Sequence, residues 1–118
     1  MRDMQEDFNT MVNHLRKQGK QATISNGICV YEAIDGSKCA IGVLIPSEVY
    51  SRSIEGWSAE SVAKLIGKTK LGLFYSDCQL YLHDGFKESG FHSFQHFLEA
   101  GIESIASTYD LTIPEVEK

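Results

Sequence analysis

The dipeptide Asp35-Gly36 restricts the fold of this chain more than any other feature of the sequence. It lies between two runs rich in β-branched and aromatic residues, 28–34 (ICVYEAI) and 38–45 (KCAIGVLI). Asp-Gly between two such runs is a strong signal for a β-hairpin, because glycine accepts the left-handed backbone conformation that tight turns require. The second run is apolar at successive positions, which is typical of a strand covered on both faces. Pro46 ends this predicted strand, since proline has no N–H group to donate to a ladder.

Apolar residues recur at helical spacing on both sides of this region. The first pattern predicts a helix over about residues 3–18, and a pattern that starts at Ser93 predicts the longest helix of the chain. Two short helices are expected between them, one over about residues 59–66 with Ser58 as its N-cap and one from about residue 77 to Gly85. Both short segments have a capping residue before them and a glycine after them.

We therefore expect an α+β fold. In it a central β-hairpin (about 28–34 and 38–45) packs with an N-terminal helix, short middle helices and a long C-terminal helix. A chain of 118 residues is long enough to bury a core without a metal ion or a disulfide. Residues 1–118 are expected to form one domain, with about 111–118 as a tail.

Charge, hydropathy and cysteine content argue against several classes of function. Eleven Lys and Arg stand against sixteen Asp and Glu, so the net charge is −5, which argues against a nucleic-acid partner. No segment approaches the roughly 18 to 20 apolar residues that span a bilayer, and the first residues lack the apolar core of a signal peptide. Three cysteines fit a reducing compartment. We expect a cytoplasmic protein without a membrane partner.

The histidines raise the question of a metal site. His92 and His96 have the i, i+4 spacing that places two imidazoles on one helix face, and Cys78 and His83 could complete a zinc site. However, His92 lies at or before the predicted helix start, and the sequence has no Cys-x-x-Cys pair. The sequence therefore predicts no metal and no cofactor.

His83-Asp84 is the pair that most resembles catalytic machinery, because a carboxylate can orient an imidazole and raise its basicity. Neighbouring residues on a helix point about 100° apart, however, so we do not expect the two side chains to contact each other readily. The alternative is structural: His83 lies near a helix C-terminus and Asp84 makes a cap or turn contact. No catalytic residue is predicted, and His83 and Asp84 are the weak candidates.

The connection after the predicted hairpin concentrates polar and aromatic side chains: Glu48, Tyr50, Arg52, Glu55 and Trp57. A loop that follows a buried strand is a good place for a binding site, since Tyr, Trp and Arg supply contact area and directional donors. In the alternative interpretation, the two aromatic residues fill the edge of the core and the two glutamates cap backbone amides. The sequence leaves both interpretations open.

Several motifs resemble a pattern in small uncharacterised proteins of phages and bacterial genomes, over about residues 28–111. The motifs are Asp35-Gly36-x-Lys38-Cys39-Ala40-x-Gly42-x-Leu44-Ile45-Pro46, then Tyr50 and Glu55-Gly56, Gln79-x3-His83-Asp84, and Ala106-x2-Tyr109-x-Leu111. One departure is Ser47, where the group often has Asp. The resemblance implies no particular reaction. It implies a phage or prophage accessory gene, a class rich in small inhibitors of host enzymes and defence systems, and hence a place in the host cytoplasm.

Three functional hypotheses follow. The first is a non-catalytic protein that inhibits a host enzyme or defence-system protein by direct binding. The second is a sponge or carrier for a small nucleotide-derived ligand, with Tyr50 or Trp57 stacking on a base and Arg52 or Lys38 meeting a phosphate. The third is a small hydrolase that uses the histidine–aspartate pair. The apolar face of the long C-terminal helix could in addition serve a homodimer.

Overall fold

The computed structural model of the chain describes residues 2–24 and 28–116, without the side chain of residue 2. These residues form four α-helices, which we number α1 (Arg2–Gln18), α2 (Ala59–Leu65), α3 (Gly72–Leu82) and α4 (Phe94–Tyr109). Single turns of 3-10 helix lie between them, at Gly42–Leu44, Arg52–Ile54, Thr69–Leu71 and Asp84–Phe86. None of the helices in the described ranges combines the length and the apolar character that crossing a bilayer requires.

The prediction of an α+β fold with a central β-hairpin is wrong. Helix makes up 56% of the described residues and strand 4%, and the fold is mostly helical. The described residues contain no sheet. Their β-structure consists of two isolated bridges, Thr23 with Cys29 and Glu32 with Lys38. The Asp35-Gly36 turn itself forms, with φ of +89° at Gly36, so the error lies in the segments on either side.

The second predicted strand is a buried turn. The N–H groups of Val43, Leu44 and Ile45 bond to carbonyls three or four residues earlier, at Cys39, Ile41 and Gly42, and cannot join a ladder. The run packs against α1, with residues 39–41 fully buried. A short, continuously apolar run indicates burial on all sides, and that condition is met equally well by a strand or by a buried turn.

The positions of three predicted helices are confirmed, but α4, which was expected to be the longest, has 16 residues against 17 in α1. Helix α1 begins one residue before the predicted start, and α2 and α4 begin directly after Ser58 and Ser93. Each of these serines caps its helix: the Ser58 hydroxyl accepts from the N–H of Ser61 at 3.1 Å, and the Ser93 hydroxyl from that of His96 at 3.2 Å. Helix α3 starts at Gly72, five residues before the predicted start, because its apolar residues lie on every side and give no periodic signal.

Helix α3 lies at the centre of the helical packing, against both α2 and α4. Its inner residues Phe74, Tyr75, Cys78 and Leu82 are almost completely buried. Helix α4 approaches α3 closely at Gly101, where a Cβ atom would overlap with the backbone carbonyl of Tyr81. A glycine is therefore required at this crossing.

The described part of the predicted tail is held against α1 and α4. Gln5 exchanges two hydrogen bonds with the backbone of Thr112, at 2.8 and 2.9 Å. Arg16 donates to the carbonyl of Pro114 and forms two hydrogen bonds of 2.8 Å with the carboxylate of Glu99. Such paired guanidinium–carboxylate contacts fix geometry as well as adding energy. The chain is therefore tied to the helices as far as Pro114.

The α3–α4 crossing yields a stability prediction. Glycine to alanine in a helix ordinarily stabilises a protein by about 0.5–1 kcal/mol. We expect Gly101→Ala to destabilise this protein by about 3 kcal/mol instead, because the added methyl group forces the two helices apart. The control is Ser107→Ala, at an exposed position of the same helix, which should change stability by less than about 0.5 kcal/mol. Urea unfolding monitored by circular dichroism measures both, and a Gly101→Ala variant as stable as the wild type would contradict the packing.

Candidate functional site

His83, one of the two weak catalytic candidates, is completely buried at the end of α3. Its ring nitrogen Nε2 lies 2.8 Å from the backbone nitrogen of Ala22, and Nδ1 lies 2.6 Å from Oδ1 of Asp84. A backbone N–H can only donate, so Nε2 of His83 accepts and carries no hydrogen. The ring proton is therefore on Nδ1, where it is donated to Asp84. Both nitrogens of the imidazole are engaged inside the protein.

The expectation that His83 and Asp84 would not contact each other readily is wrong. It assumed that both residues are helical, whereas α3 ends at Leu82 and His83 has φ of −146° and ψ of −72°. This backbone conformation turns the next residue back toward the ring. The contact that a catalytic pair needs is present, but neither ring nitrogen is free to take a proton from a substrate.

Asp84 connects the histidine to a wider polar network. The carboxylate oxygen that accepts from His83 also accepts from Nε2 of Gln79 at 2.8 Å. The carbonyl oxygen of the Gln79 side chain accepts from the N–H of Ile41 at 3.3 Å. Gln21 donates to the backbone carbonyl of His83 at 2.8 Å. The network joins three separate parts of the chain, residues 21–22, Ile41 and residues 79–84, and its buried members have hydrogen-bond partners.

A polar pocket of about 220 Å³ opens beside this network. It is lined by Cys29, Val30, Tyr31, Glu55, Gly56, Trp57, Gln79 and Asp84. The structure thus brings together residues that the sequence placed in three separate motifs: the aromatic segment before the Asp-Gly turn, the Glu-Gly pair and the Gln-x3-His-Asp group. The charged side chains of this lining are the carboxylates of Glu55 and Asp84.

Glu55, from the predicted binding loop, is held by internal hydrogen bonds. Its two carboxylate oxygens accept from the N–H groups of Tyr31 and Glu32 at 2.9 and 3.2 Å, and from the hydroxyl of Tyr50 at 2.6 Å. Partial burial and the carboxylate together raise the pKa of Tyr50 to about 12. This geometry matches the alternative in which a glutamate of the loop caps backbone amides. Glu48, the other glutamate considered for that role, is exposed and does not line the pocket.

The other candidate binding residues differ in how firmly contacts within the chain hold their side chains. Arg52 donates to the backbone carbonyl of Glu32 at 2.9 Å, with its guanidinium 5.9 Å from the centre of the Tyr50 ring. The Lys38 ammonium lies 3.8 Å from the carboxylate of Glu32. Arg52 and Lys38, the two cations considered for binding phosphate, thus both interact with Glu32. Trp57 is 43% exposed at the pocket, and its backbone carbonyl accepts from the hydroxyl of Tyr31.

Metal-binding groups converge at one place in the described part of the chain. Ligand atoms of Cys29, His83 and Asp84 lie within 4.8 Å of one another. The His83 nitrogens are occupied, and burial and the Asp84 carboxylate raise the pKa of the Cys29 thiol to about 12, which disfavours the thiolate that a metal requires. The zinc site considered from the sequence is not assembled, because Cys78 is buried in the core while His92 and His96 are exposed.

A second surface, which the sequence did not predict, is an apolar groove of about 560 Å³ between α3, α4 and the loop that joins them. It is lined by Leu80, Tyr81, Gly85, Glu88, Ser89, Phe91, Phe97, Ala100, Gly101 and Ser104. Three of its large side chains are close to half exposed: Leu80 at 48%, Tyr81 at 47% and Phe91 at 44%. The apolar residues on every side of α3 were the available signal for this surface, since one face of that helix is left without a covering layer.

Comparisons with known proteins give no relative: no family model matches the sequence, and neither the curated proteins nor the solved structures contain a match.

The structural role of the Glu55 carboxylate can be tested against Glu48, which lies in the same connection. We expect Glu55→Ala to lower the free energy of unfolding by about 2 kcal/mol, because two backbone N–H groups and a tyrosine hydroxyl lose their acceptor. Glu48→Ala, at an exposed site in the same connection, should change it by less than about 0.5 kcal/mol. Chemical denaturation measures both variants. Equal, small effects would mean that the Glu55 carboxylate is not a structural acceptor.

The chemistry of Cys29 is also open to test. With its thiol pKa raised to about 12, Cys29 holds very little thiolate at pH 8, so we expect iodoacetamide to alkylate it at least about 100-fold more slowly than free cysteine. Asp84→Asn removes the nearby negative charge and should increase the rate. Mass spectrometry of peptides after timed alkylation follows this cysteine separately from Cys39 and Cys78. A rate in native wild-type protein equal to that of free cysteine would show a reactive thiol.

Proposed function

We propose that this protein is not a catalyst and acts by binding another protein. The observation that carries the proposal is the apolar groove, where large side chains from α3 and the loop after it are held on a packed scaffold and left open to solvent. Covering such a surface contributes roughly 25 cal/mol for each Å² of apolar area removed from water. Exposed apolar patches and aromatic anchors of this kind are typical of sites that bind a partner.

The polar pocket supports a binding role more than a reaction. Both ring nitrogens of His83 have protein partners, and the pKa of the Cys29 thiol favours its protonated form, so neither offers a base or a nucleophile. The hydrolase hypothesis therefore has no support from this geometry. The hydrogen bonds that line the polar pocket instead hold two segments in position, the end of α3 and the loop that carries Trp57.

A nucleotide-derived ligand is a weaker alternative. Arg52 and Lys38 both interact with Glu32, and the polar pocket presents the carboxylates of Glu55 and Asp84, which repel a phosphate. We therefore keep the partner protein as the preferred hypothesis. The resemblance to small phage and bacterial proteins makes a host enzyme or defence-system protein the expected target, with exposed Glu48 and Trp57 of the predicted binding loop as further candidate contacts.

Two leucines of α3 provide a matched test of the groove. Leu80 lines it, whereas Leu73 is 69% exposed on the same helix and does not line it. We expect a tagged wild-type protein to capture a stoichiometric partner from a bacterial host lysate. Leu80→Gln should reduce the captured amount by at least about tenfold, which corresponds to a loss of about 1.4 kcal/mol, and Leu73→Gln should leave it unchanged.

Quantitative mass spectrometry of the captured material measures the effect. Circular dichroism of both variants confirms that they keep the fold. The proposal fails if the wild type captures no stoichiometric partner, or if Leu80→Gln captures as much as Leu73→Gln does.

A further inference from the structure

The floor of the apolar groove is a single stripe along α4. Phe97, Ala100, Gly101 and Ser104 have the spacing i, i+3, i+4 and i+7, which covers about 10 Å of one helix face. Three of the four are small, and the larger side chains of α3 and of the connecting loop stand beside them as walls. This shape accepts a row of side chains rather than a single compact group.

The walls of the groove determine which secondary structure can enter it. Helix α4 forms its floor and α3 one of its walls, and the interior backbone groups of both are already bonded within the helices, so they offer no edge to an added strand. A helix has no need of such an edge. Apolar side chains at i, i+3, i+4 and i+7 of a partner helix would cover the same length of about 10 Å as the floor.

The lining of the groove carries negative charge at Glu88, and the exposed Lys87 beside it in the sequence lies outside the lining. Helices α3 and α4 contain no Lys or Arg, and none of the described residues that line the groove is basic. Glu88 belongs to the lining, and Glu103 is exposed on α4 next to Ser104. The carboxylate of Glu99, also on α4, adds no net negative charge because it is paired with Arg16.

We infer that the apolar groove binds an amphipathic helix of the partner protein, with its apolar face in the groove and Lys or Arg on its polar face toward Glu88 and Glu103. This inference rests on the proposed function and specifies the partner's chemistry. A second copy of this chain would bring the same two glutamates to the interface, and the head group of a fatty acid would meet Glu88 with a like charge. A basic helix satisfies both the shape and the charge.

Three labelled peptides of 16 residues test this inference. The first is an amphipathic helix with leucines at i, i+3, i+4 and i+7 and lysines on its polar face. The second carries glutamates in place of the lysines, and the third has the composition of the first in scrambled order. Fluorescence anisotropy with the full chain should show the first peptide binding at least about tenfold more tightly than either of the others.

Protein variants locate the binding. Ala100→Lys fills the floor of the groove with a long cationic side chain at an exposed position, and should weaken binding of the lysine peptide at least about tenfold. Gln95→Lys makes the same charge change at an exposed position of α4 outside the lining, and should have a small effect. Glu88→Gln combined with Glu103→Gln should reduce the preference for the lysine peptide over the glutamate peptide.

Several results would overturn the inference. Equal binding of the lysine and glutamate peptides would show that the protein has no charge preference. Equal binding of the scrambled peptide, or unchanged binding to Ala100→Lys, would show that the peptide binds the protein outside the groove. Failure of the lysine peptide to bind at all would remove the basic helix as the occupant. A concentration-dependent dimer that Ala100→Lys abolishes in sedimentation would assign the groove to a second copy. The proposed function fails separately, when lysate capture yields no partner that depends on Leu80.

Discussion

The buried imidazole of His83 accepts a hydrogen bond from the Ala22 N–H, which connects the segment after α1 to the end of α3, and donates one to Asp84. A polar ring with no exposure to water is tolerated only when both nitrogens are satisfied, since an unpaired buried polar group costs about 1–3 kcal/mol. The same requirement fixes the orientation of Asp84. Through Gln79 it also fixes the buried turn at Ile41. The end of α3 therefore sets one side of the polar pocket, through Gln79 and Asp84.

The two surfaces differ in what they leave unsatisfied. In the polar pocket the principal groups already have partners within the chain: Glu55 accepts three hydrogen bonds, and one oxygen of Asp84 accepts two. In the groove, by contrast, apolar side chains of α3 and of the following loop remain in contact with water. Free energy is gained on binding where groups lack partners in the free protein, which is why we place the interaction with a partner at the groove.

The sequence predicted the parts of the fold that have a strong periodic or capping signal. Helices α1 and α4 each have one apolar face, and Ser58 and Ser93 mark helix starts by their side-chain chemistry. The second strand was mispredicted because an apolar run reports burial and not backbone conformation. Both site surfaces depend on tertiary contacts: the polar pocket brings Cys29 next to Asp84, and the groove is formed where α3 and α4 cross.

The tautomer of His83 tests the central claim, that this histidine is a structural connector and not a catalytic base. Long-range proton–nitrogen correlation spectra of the ¹⁵N-labelled protein at pH 7.5 distinguish the two neutral forms of the ring. Our account predicts that His83 is the Nδ1–H tautomer, with Nε2 accepting from the Ala22 amide. An Nε2–H tautomer would contradict it, because that nitrogen could then not accept the backbone hydrogen bond and the connection between Ala22 and α3 would be absent.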